Sequence, residues 1–345
     1  MQMAKKTEAT IESLSKELHL SASTISRVLG GKAEKYRISK KTAELVLETA
    51  NKLNYAPNQL ARSLRLKKTN TIGLMIPDIS NPFFAKIASF IEREARERGY
   101  SVIVSDSEEK TEIEKSSLKV LTSRMIDGII ISPVGESAEH LIEENVRNIP
   151  IVTIDRFFPE LKLPFVGTDN FKGALEAVNY LIQNGHKRIA FVQGIKSTSV
   201  NQERLRGYVE ALKSNGIPYN KNLVSGENFG EENGYVAMKL LLNMNARPTA
   251  VFAASNLISL GVLRALKEEN ISVPDDISIV AFDDQFYSSF LATPMTTVAQ
   301  PVKEIATIAF RLLMDSIELD AESNEPKKIL LPTRLITRSS VKRIS

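Results

Sequence analysis

The feature that most constrains the fold is a regular alternation of short apolar runs with amphipathic segments from residue 69 onward. The apolar runs have the length and composition of buried parallel strands, and the segments between them carry apolar residues at helical spacing. Such alternation predicts parallel sheets covered by helices on both faces. The predicted strands are Ile72–Ile76, Ser101–Ser105, Gly128–Ser132, Pro150–Ile154, Ile189–Gln193, Ala250–Ala254 and Ile277–Phe282, and the predicted helices lie at roughly 83–98, 111–123, 137–146, 170–184, 203–215, 231–243, 256–269 and 302–316.

The first 56 residues follow a different pattern, that of three short helices. Thr10, Ser21 and Ser39 are good N-caps, each followed by apolar residues at helical spacing. Two short helices around a tight turn, with a supporting third, are typical of a helix-turn-helix, whose second helix lies in the major groove of DNA. A structural three-helix bundle with a solvated polar face is the alternative. The residues predicted to point inward are Ile11, Leu14, Leu18, Ile25, Val28, Leu29, Leu45 or Val46, Ala50 and Leu53.

The junction between these two regions is a short basic segment. Pro57 precedes a predicted helix at Asn58–Leu66, which is rich in arginine and is followed by Lys67 and Lys68. A helix of this length is too short to be stable alone in water, so the segment is predicted to fold only against a partner. An ordinary interdomain linker is the alternative.

The charge distribution separates the head from the body. Residues 1–68 hold 14 Lys and Arg against 6 Asp and Glu, whereas the remainder holds 31 against 35. A basic head on a mildly acidic body indicates a polyanionic partner for the head alone. The N-terminal stretch lacks the apolar core of a signal peptide, and no run approaches transmembrane length, so we expect a cytoplasmic protein with no membrane partner.

Catalytic and metal-binding patterns are absent from the sequence. The first strand-to-helix turn reads PDISNPFF, without the glycines that admit a phosphate, and GxxxxGK[ST] and GxSxG motifs do not occur. There are no cysteines, and the three histidines at 19, 140 and 186 lack metal-ligand spacing. We therefore expect no enzyme activity, no metal and no cofactor.

The sequence resembles the lactose/galactose repressor (LacI/GalR) family of bacterial transcription regulators. The resemblance is carried by TIESLSKELHLSASTISRVLGG, TAELVLETANKLNYAPNQLARSLR and TNTIGLMIPDISNPFFAKI, and it extends through nearly the whole chain. By resemblance, Ala22, Ser23 and Arg27 match the base readers. Ala61 and Leu64 match hinge residues that enter the minor groove, where Leu64 would kink the duplex. The residues that match backbone-positioning residues are Thr10, Ser21, Thr24, Ser26, Thr42, Tyr55 and Asn58.

Two features depart from the family pattern in the head. His19 stands where the turn usually has glycine, after Leu18 in place of the usual alanine, so the turn must either tolerate an unusual backbone conformation or shift. The loop KAEKYRIS is about three residues longer than the family pattern. It adds Lys32, Lys35 and Arg37, which we interpret as extra phosphate contacts.

For the body, the resemblance implies a periplasmic-binding-protein-like core of two lobes. The expected division is a helix-turn-helix domain at 1–56, a hinge at 57–68 and a core at 69–345. Within the core, the N-lobe is expected at about 69–168 and 300–328, and the C-lobe at about 169–299 and 329–345. The fold class is therefore an all-α head plus an α/β two-lobed core, in which the chain crosses between lobes more than once.

The polar residues that follow the strands predict a ligand site, because ligands in such sheets bind beyond the carboxyl ends of the strands. Taken singly, a loop aspartate is more often a cap or turn residue. The resemblance assigns effector contacts that suit a neutral polyol: arginine donates to hydroxyls, aspartates accept, and aromatics cover an apolar ring face. Ser255-Asn256 replaces the usual Asn-Asp, so the effector contacts there are expected to differ. The assigned residues are Phe83, Asp155, Arg204, Phe229, Ser255, Asp283 and Gln300.

Together these observations predict a homodimeric, sequence-specific transcriptional repressor that binds a pseudo-palindromic operator. Its operator affinity would be set allosterically by a small effector, with a sugar as the expected class. It would be cytoplasmic and nucleoid-associated when bound. A sugar-binding protein without a DNA role and an α/β sugar-processing enzyme are the alternatives. The basic head and the lack of a signal peptide disfavour the first, and the missing catalytic constellation disfavours the second.

Overall fold

The computed structural model describes residues 10–53, 55, 68–137, 139–142, 149–318 and 327–344. The chain divides into two compact units, Met1–Thr69 and Asn70–Ser345. The predicted hinge helix at Asn58–Leu66, with its sites Asn58, Ala61 and Leu64, lies outside the described residues.

The first unit contains the three predicted helices: α1 (Ile11–Leu18), α2 (Ala22–Leu29) and α3 (Lys40–Lys52). Thr10, Ser21 and Ser39 cap them, as their residue types predict, each through a side-chain oxygen that accepts a backbone N–H of the first turn. The core of this unit is formed by Leu14, Ile25, Val28, Val46 and Ala50.

The prediction that Leu53 faces the core of the head was wrong, and the choice between Leu45 and Val46 is resolved. Leu53 is 40% exposed, because α3 ends at Lys52 and Leu53 is its C-cap. Of the pair Leu45 and Val46, the buried residue is Val46. Successive helical residues point about 100° apart, and in α3 the direction of Val46 is the one that meets the core.

The turn between α1 and α2 keeps its place and uses an unusual backbone conformation. His19 is the C-cap of α1 and adopts φ 52° and ψ 32°, the left-handed region that favours glycine. The chain therefore adopts the first of the two predicted alternatives: the turn is retained at some steric cost.

The second unit contains two six-stranded sheets that share one order of strands. In the first sheet the order is β11-β5-β4-β3-β1-β2, and in the second it is β12-β10-β9-β8-β6-β7. Neighbouring strands pair in parallel, except that β10 and β12 pair antiparallel at an edge of the second sheet. The strands are β1 (Thr71–Ile76), β2 (Ser101–Asp106), β3 (Gly128–Ile131), β4 (Ile151–Ile154), β5 (Phe165–Thr168), β6 (Ile189–Val192), β7 (Val224–Ser225), β8 (Ala250–Ala253), β9 (Ser278–Phe282), β10 (Thr296–Ala299), β11 (Lys328–Leu331) and β12 (Arg334–Ile336).

The helices of the second unit agree with the predicted ones to within a few residues, with one exception. The helix predicted at 137–146 is wrong for Glu139–Leu141, which form a 3-10 turn; residues 138 and 143–148 are outside the described part. None of the described helices is long and apolar enough to cross a membrane. The helices are α4 (Pro82–Glu97), α5 (Thr111–Ser123), α6 (Asn170–Gln183), α7 (Ser199–Ser214), α8 (Glu231–Leu242), α9 (Asn256–Glu268) and α10 (Val302–Glu318).

The chain passes three times between the two sheets, which define two lobes. It crosses after β5, after β10 and after β11. A backbone hydrogen bond joins the first and third crossings: the Asp169 N–H, just after β5, donates to the carbonyl of Leu331, at the end of β11, at 2.9 Å. The lobe boundary predicted at residue 328 needs correction. Ile329, Leu330 and Leu331 continue β11 beside β5, so they belong to the first lobe.

Candidate ligand site between the two lobes

A cavity of about 390 Å³ lies where strands of both lobes end at their carboxyl sides. Its size is within the range of small-molecule sites, which are about 300–1,000 Å³. The residues that line it are Pro77, Asp78, Asn81, Phe83, Phe84, Asp106, Glu108, Glu109, Asp155, Arg156, Val200, Arg204, Asn228, Phe229, Gly230, Ser255, Leu257, Asp283 and Gln300.

All seven residues assigned to the effector by resemblance line this one cavity. From the first lobe, Phe83 is in the first turn of α4 and Asp155 follows β4. From the second lobe, Ser255 is the N-cap of α9 and Asp283 follows β9. The other three are Arg204 within α7, Phe229 just before α8 and Gln300 just after β10. The fold therefore brings together residues that are up to 217 positions apart in the sequence.

Two aspartates occupy equivalent places in the two lobes. Asp155 follows β4 and Asp283 follows β9, and these strands have the same position in their respective sheets. Both residues have positive φ, 59° and 73°, which is unusual for a residue other than glycine. At Asp155 the chain turns tightly, since the Arg156 N–H donates to the Ile154 carbonyl at 2.5 Å. Strained backbone of this kind concentrates at functional sites.

Burial dominates the electrostatics of this aspartate pair. Asp155 is 7% exposed and Asp283 is 6% exposed, and loss of solvation raises the pKa of each carboxyl. The positive charges of Arg156 and Arg204 oppose that shift in the pKa of Asp155, and the charge of Arg204 opposes it in the pKa of Asp283. The charged forms of both carboxyls therefore lack solvation in the ligand-free protein. A ligand with hydroxyl donors would supply hydrogen bonds in place of the missing water.

Arg204 is fixed in place by contacts on three sides. Its Nε donates to Asn170 Oδ1 at 2.8 Å, its Nη1 donates to the Ala254 carbonyl at 2.5 Å, and its guanidinium carbon lies 3.6 Å from the Phe282 ring centroid. In the described structure it forms no ion pair with either aspartate. A rigid donor therefore faces the cavity without neutralising the carboxylates directly.

Gln300 connects the two lobes through its side chain. Its Nε2 donates to Asp283 Oδ1 at 2.5 Å, and its Oε1 accepts from Thr168 Oγ1 at 2.5 Å. Thr168 ends β5 in the first lobe, and Gln300 is on the crossing after β10. A ligand that competes for Asp283 would therefore also act on the crossing segment.

Sequence reasoning missed an arginine–glutamate pair in the cavity wall. Arg156 donates both Nη groups to the Glu109 carboxylate at 2.6 Å, and its guanidinium lies 5.2 Å from the Phe229 ring centroid. Its position next to Asp155 was the available signal. Asn81 and Asn256, which the sequence also places just beyond strands, were not among the effector contacts assigned by resemblance. Asn256 Nδ2 donates to Asn81 Oδ1 at 3.0 Å and so joins the helix starts of the two lobes.

Asp284, adjacent to Asp283, does not line the cavity. Its Oδ1 accepts from Thr297 Oγ1 at 2.6 Å and from Arg338 Nη1 at 2.8 Å. The neighbouring aspartates therefore differ in role, since one faces the cavity and the other holds the C-terminal segment to β10.

Of the residues assigned to DNA in the head, Ser21 is the N-cap of α2, and Ala22, Ser23, Thr24, Ser26 and Arg27 lie within that helix. Ser21 Oγ lies 2.9 Å from Ser23 Oγ and 2.8 Å from Thr24 Oγ1, which makes a hydroxyl cluster at the helix start. Ala22, Ser23 and Arg27 are exposed. Thr10 and Thr42 take part in the caps of α1 and α3, Ser26 is half-buried, and Tyr55 packs against the core of the unit.

Comparison with known proteins decides the family. Residues 178–341 match the model described as a periplasmic binding protein-like domain. The chain is 35% identical over 312 residues to the HTH-type transcriptional repressor CytR of Escherichia coli K12, covering 90% of this chain and 91% of that protein. The chain belongs to the LacI family of bacterial transcriptional regulators.

Solved structures of LacI-type regulators have the same overall fold as this chain. A lac repressor dimer bound to operator and the anti-inducer ONPF matches with a TM-score of 0.86 and 26% identity, over 97% of this chain and 100% of that one. A LacI family regulator from Enterococcus faecium with bound ribose matches with a TM-score of 0.72 and 30% identity, over 80% of this chain and 100% of that one.

Membership of the LacI family confirms two of the predictions from sequence. The protein is a DNA-binding regulator of transcription, and it is not an enzyme, since its relatives are regulators. The periplasmic-binding-protein-like core of two lobes is confirmed as well.

Proposed function

We propose that this LacI family protein is a homodimeric repressor whose operator affinity is set by a neutral polyhydroxylated effector, a sugar, bound in the cavity between the lobes. The observation that carries the proposal is the convergence of Arg204, Asp155 and Asp283 with Phe83 and Phe229 on one cavity. A rigid donor, two acceptors and two aromatic rings are the groups that recognise a sugar.

The charge of the cavity supports a neutral ligand over a phosphorylated one. Six carboxylates and only two guanidiniums line it. An anionic ligand would therefore meet a net negative wall in a site of reduced dielectric, where like charges repel strongly. Sugar hydroxyls can donate to the carboxylates and accept from Arg204 without that penalty. The ribose bound to the Enterococcus faecium relative supports this ligand class.

On the DNA side, the proposed reader is α2 of a helix-turn-helix formed with α1. Ala22, Ser23 and Arg27 would meet base edges in the major groove, while the hydroxyls of Thr10, Ser21, Thr24, Ser26 and Thr42, with Tyr55, would position the phosphate backbone. The operator-bound dimer of the lac repressor supports a homodimer on a pseudo-palindromic site. The protein would then act in the cytoplasm, associated with the nucleoid when bound.

The residues between the head and the core complete the proposal. We assign 1–56 to the DNA-binding domain, 57–68 to a hinge, and 69–345 to the effector-binding and dimerisation core. Asn58, Ala61 and Leu64 would contact DNA from the hinge, with Leu64 as the wedge in the minor groove. Lys32, Lys35 and Arg37 would add phosphate contacts next to α2.

A thermal-shift screen of the full-length protein tests the ligand class. Neutral sugars and nucleosides form one set, and sugar phosphates form the matched anionic set. A ligand at 100 times its dissociation constant should add about 2.7 kcal/mol to the free energy of unfolding. Stabilisation by sugar phosphates and by no neutral compound would contradict the charge argument. A ligand response without sequence-specific DNA binding would instead favour the sugar-binding alternative.

A further inference from the structure

The loop between α2 and α3, residues 30–39, which is predicted to be longer than the family pattern, is held by backbone hydrogen bonds. The Lys32 N–H donates to the Arg27 carbonyl at 2.9 Å, and the Ile38 N–H donates to the Ala33 carbonyl at 2.9 Å. Ala33 and Ile38 also pack against the buried core of the head. The loop therefore folds back against the end of α2 and does not extend freely into solvent.

This folding back places an aromatic ring beside the predicted base reader. The guanidinium carbon of Arg27 lies 4.1 Å from the centroid of the Tyr36 ring, well within the range of a cation–π contact. Both side chains are exposed. In the described part of the head, the Arg27 guanidinium makes no hydrogen bond and no ion pair, so the ring of Tyr36 is the contact that restricts it.

We propose that Tyr36 is a positioning residue that holds Arg27 ready for DNA. This inference rests on the proposed role of Arg27 at the operator. A ring face binds the guanidinium through its charge and leaves N–H donors available for guanine O6 and N7 or for a phosphate. Ordering a long side chain on binding costs conformational entropy, and that cost is smaller when the side chain is already held.

The contribution of Tyr36 differs in kind from that of its loop neighbours. Lys32, Lys35 and Arg37 carry charge and would act on any DNA sequence, with an effect that falls as salt rises. Tyr36 acts through Arg27, so its effect should be confined to DNA that Arg27 recognises. Since exposed cation–π contacts are weak, its loss should reduce operator affinity by about two- to fivefold for each half-site that the dimer contacts.

A double-mutant cycle on the full-length protein tests the inference. The probe is a duplex selected from a random-sequence pool by the wild-type protein, with a scrambled duplex of the same composition as the control. Affinities are measured at one stated salt concentration for wild type, Tyr36→Leu, Tyr36→Phe, Arg27→Ala and the Arg27→Ala/Tyr36→Leu double variant. Tyr36→Phe is the matched control, because it keeps the ring and removes only the hydroxyl.

We expect Tyr36→Leu to weaken binding to the selected duplex about two- to fivefold per half-site, with the scrambled duplex unaffected and Tyr36→Phe close to wild type. In the Arg27→Ala background, Tyr36→Leu should have no further effect. Additive effects, equal losses on both duplexes, or a loss in Tyr36→Phe equal to that in Tyr36→Leu would each overturn the inference. If Arg27→Ala itself binds the selected duplex like wild type, the proposed role of Arg27 fails first.

Discussion

Replacing Asp283 by asparagine should weaken ligand binding without lowering the stability of the ligand-free protein. Asparagine keeps the size of the side chain and the oxygen that accepts from Gln300 Nε2, and it removes the charge. Burial raises the pKa of Asp283 above its unfolded value, so the folded state holds the proton more readily. This carboxyl therefore lowers the free energy of unfolding as pH rises through its native pKa. Without ligand, Asp283→Asn should be at least as stable as wild type near pH 7, and the difference should shrink as pH falls.

The loss in ligand binding can be estimated from the hydrogen bond that is weakened. A hydrogen bond to a charged group contributes about 1.5–3 kcal/mol, which corresponds to roughly 10- to 150-fold in affinity. At a ligand concentration of 100 times the wild-type dissociation constant, stabilisation should fall from about 2.7 to roughly 0.3–1.4 kcal/mol. For a core of this size that is a fall in the ligand-induced Tm shift from about 5–10 °C to about 1–5 °C.

The assay is thermal unfolding of the full-length protein with and without the sugar that stabilises wild type most. Asp284→Asn is the matched control. That aspartate is paired with Arg338 and Thr297 outside the cavity. The control should lose about 1 kcal/mol of stability and keep the full ligand-induced shift. Equal behaviour of the two variants, or an undiminished shift in Asp283→Asn, would refute the assignment of Asp283 to the ligand.

Three further predictions concern the core, the turn and the hinge. Gly261→Ala should lower the free energy of unfolding by about 1–3 kcal/mol, because the new methyl group would meet the Glu231 backbone carbonyl where α8 and α9 cross. Urea denaturation measures this loss, and an unchanged midpoint would contradict the close packing of the two helices. His19→Gly should raise the stability of the head by about 1 kcal/mol, because glycine accepts the left-handed conformation without steric cost, and a loss of stability would show that the imidazole makes up for the strain. Leu64→Ser should reduce operator affinity and DNA bending and leave the ligand-induced Tm shift intact; retention of both DNA properties would remove Leu64 from the proposed minor-groove contact.

The main elements of the fold could be read from the sequence because they are long or strongly patterned. The central strands are continuous apolar runs, and the helices of the second unit are amphipathic over 12 residues or more. The five strands that were missed are short and lie at or next to a sheet edge: β5, β10 and β11 have four residues each, β12 has three and β7 has two. Their pairing depends on partners distant in the sequence, as when β11 joins β5 and moves the lobe boundary to Leu331.

The candidate ligand site was predictable only in part. The family resemblance selected residues that the fold brings to one cavity. The chemistry of an aspartate alone does not show that Asp283 lines this cavity and that its neighbour Asp284 does not. Arg156 was missed because its role depends on Glu109, which is 47 positions away and meets it only in the folded chain. The contact between Arg27 and Tyr36 was missed as well, since it requires the loop to fold back over α2.

The most direct test of the central claim is a titration of the full-length protein with a duplex selected from a random-sequence pool. Binding is followed by fluorescence anisotropy at one stated salt concentration, with and without the stabilising sugar, and a scrambled duplex serves as the control. We predict that the selected duplex binds at least about a thousandfold more tightly than the scrambled one. The sugar should change operator affinity by the same factor by which the operator changes sugar affinity. Equal binding of both duplexes, or a sugar that stabilises the protein and leaves operator affinity unchanged, would contradict the claim.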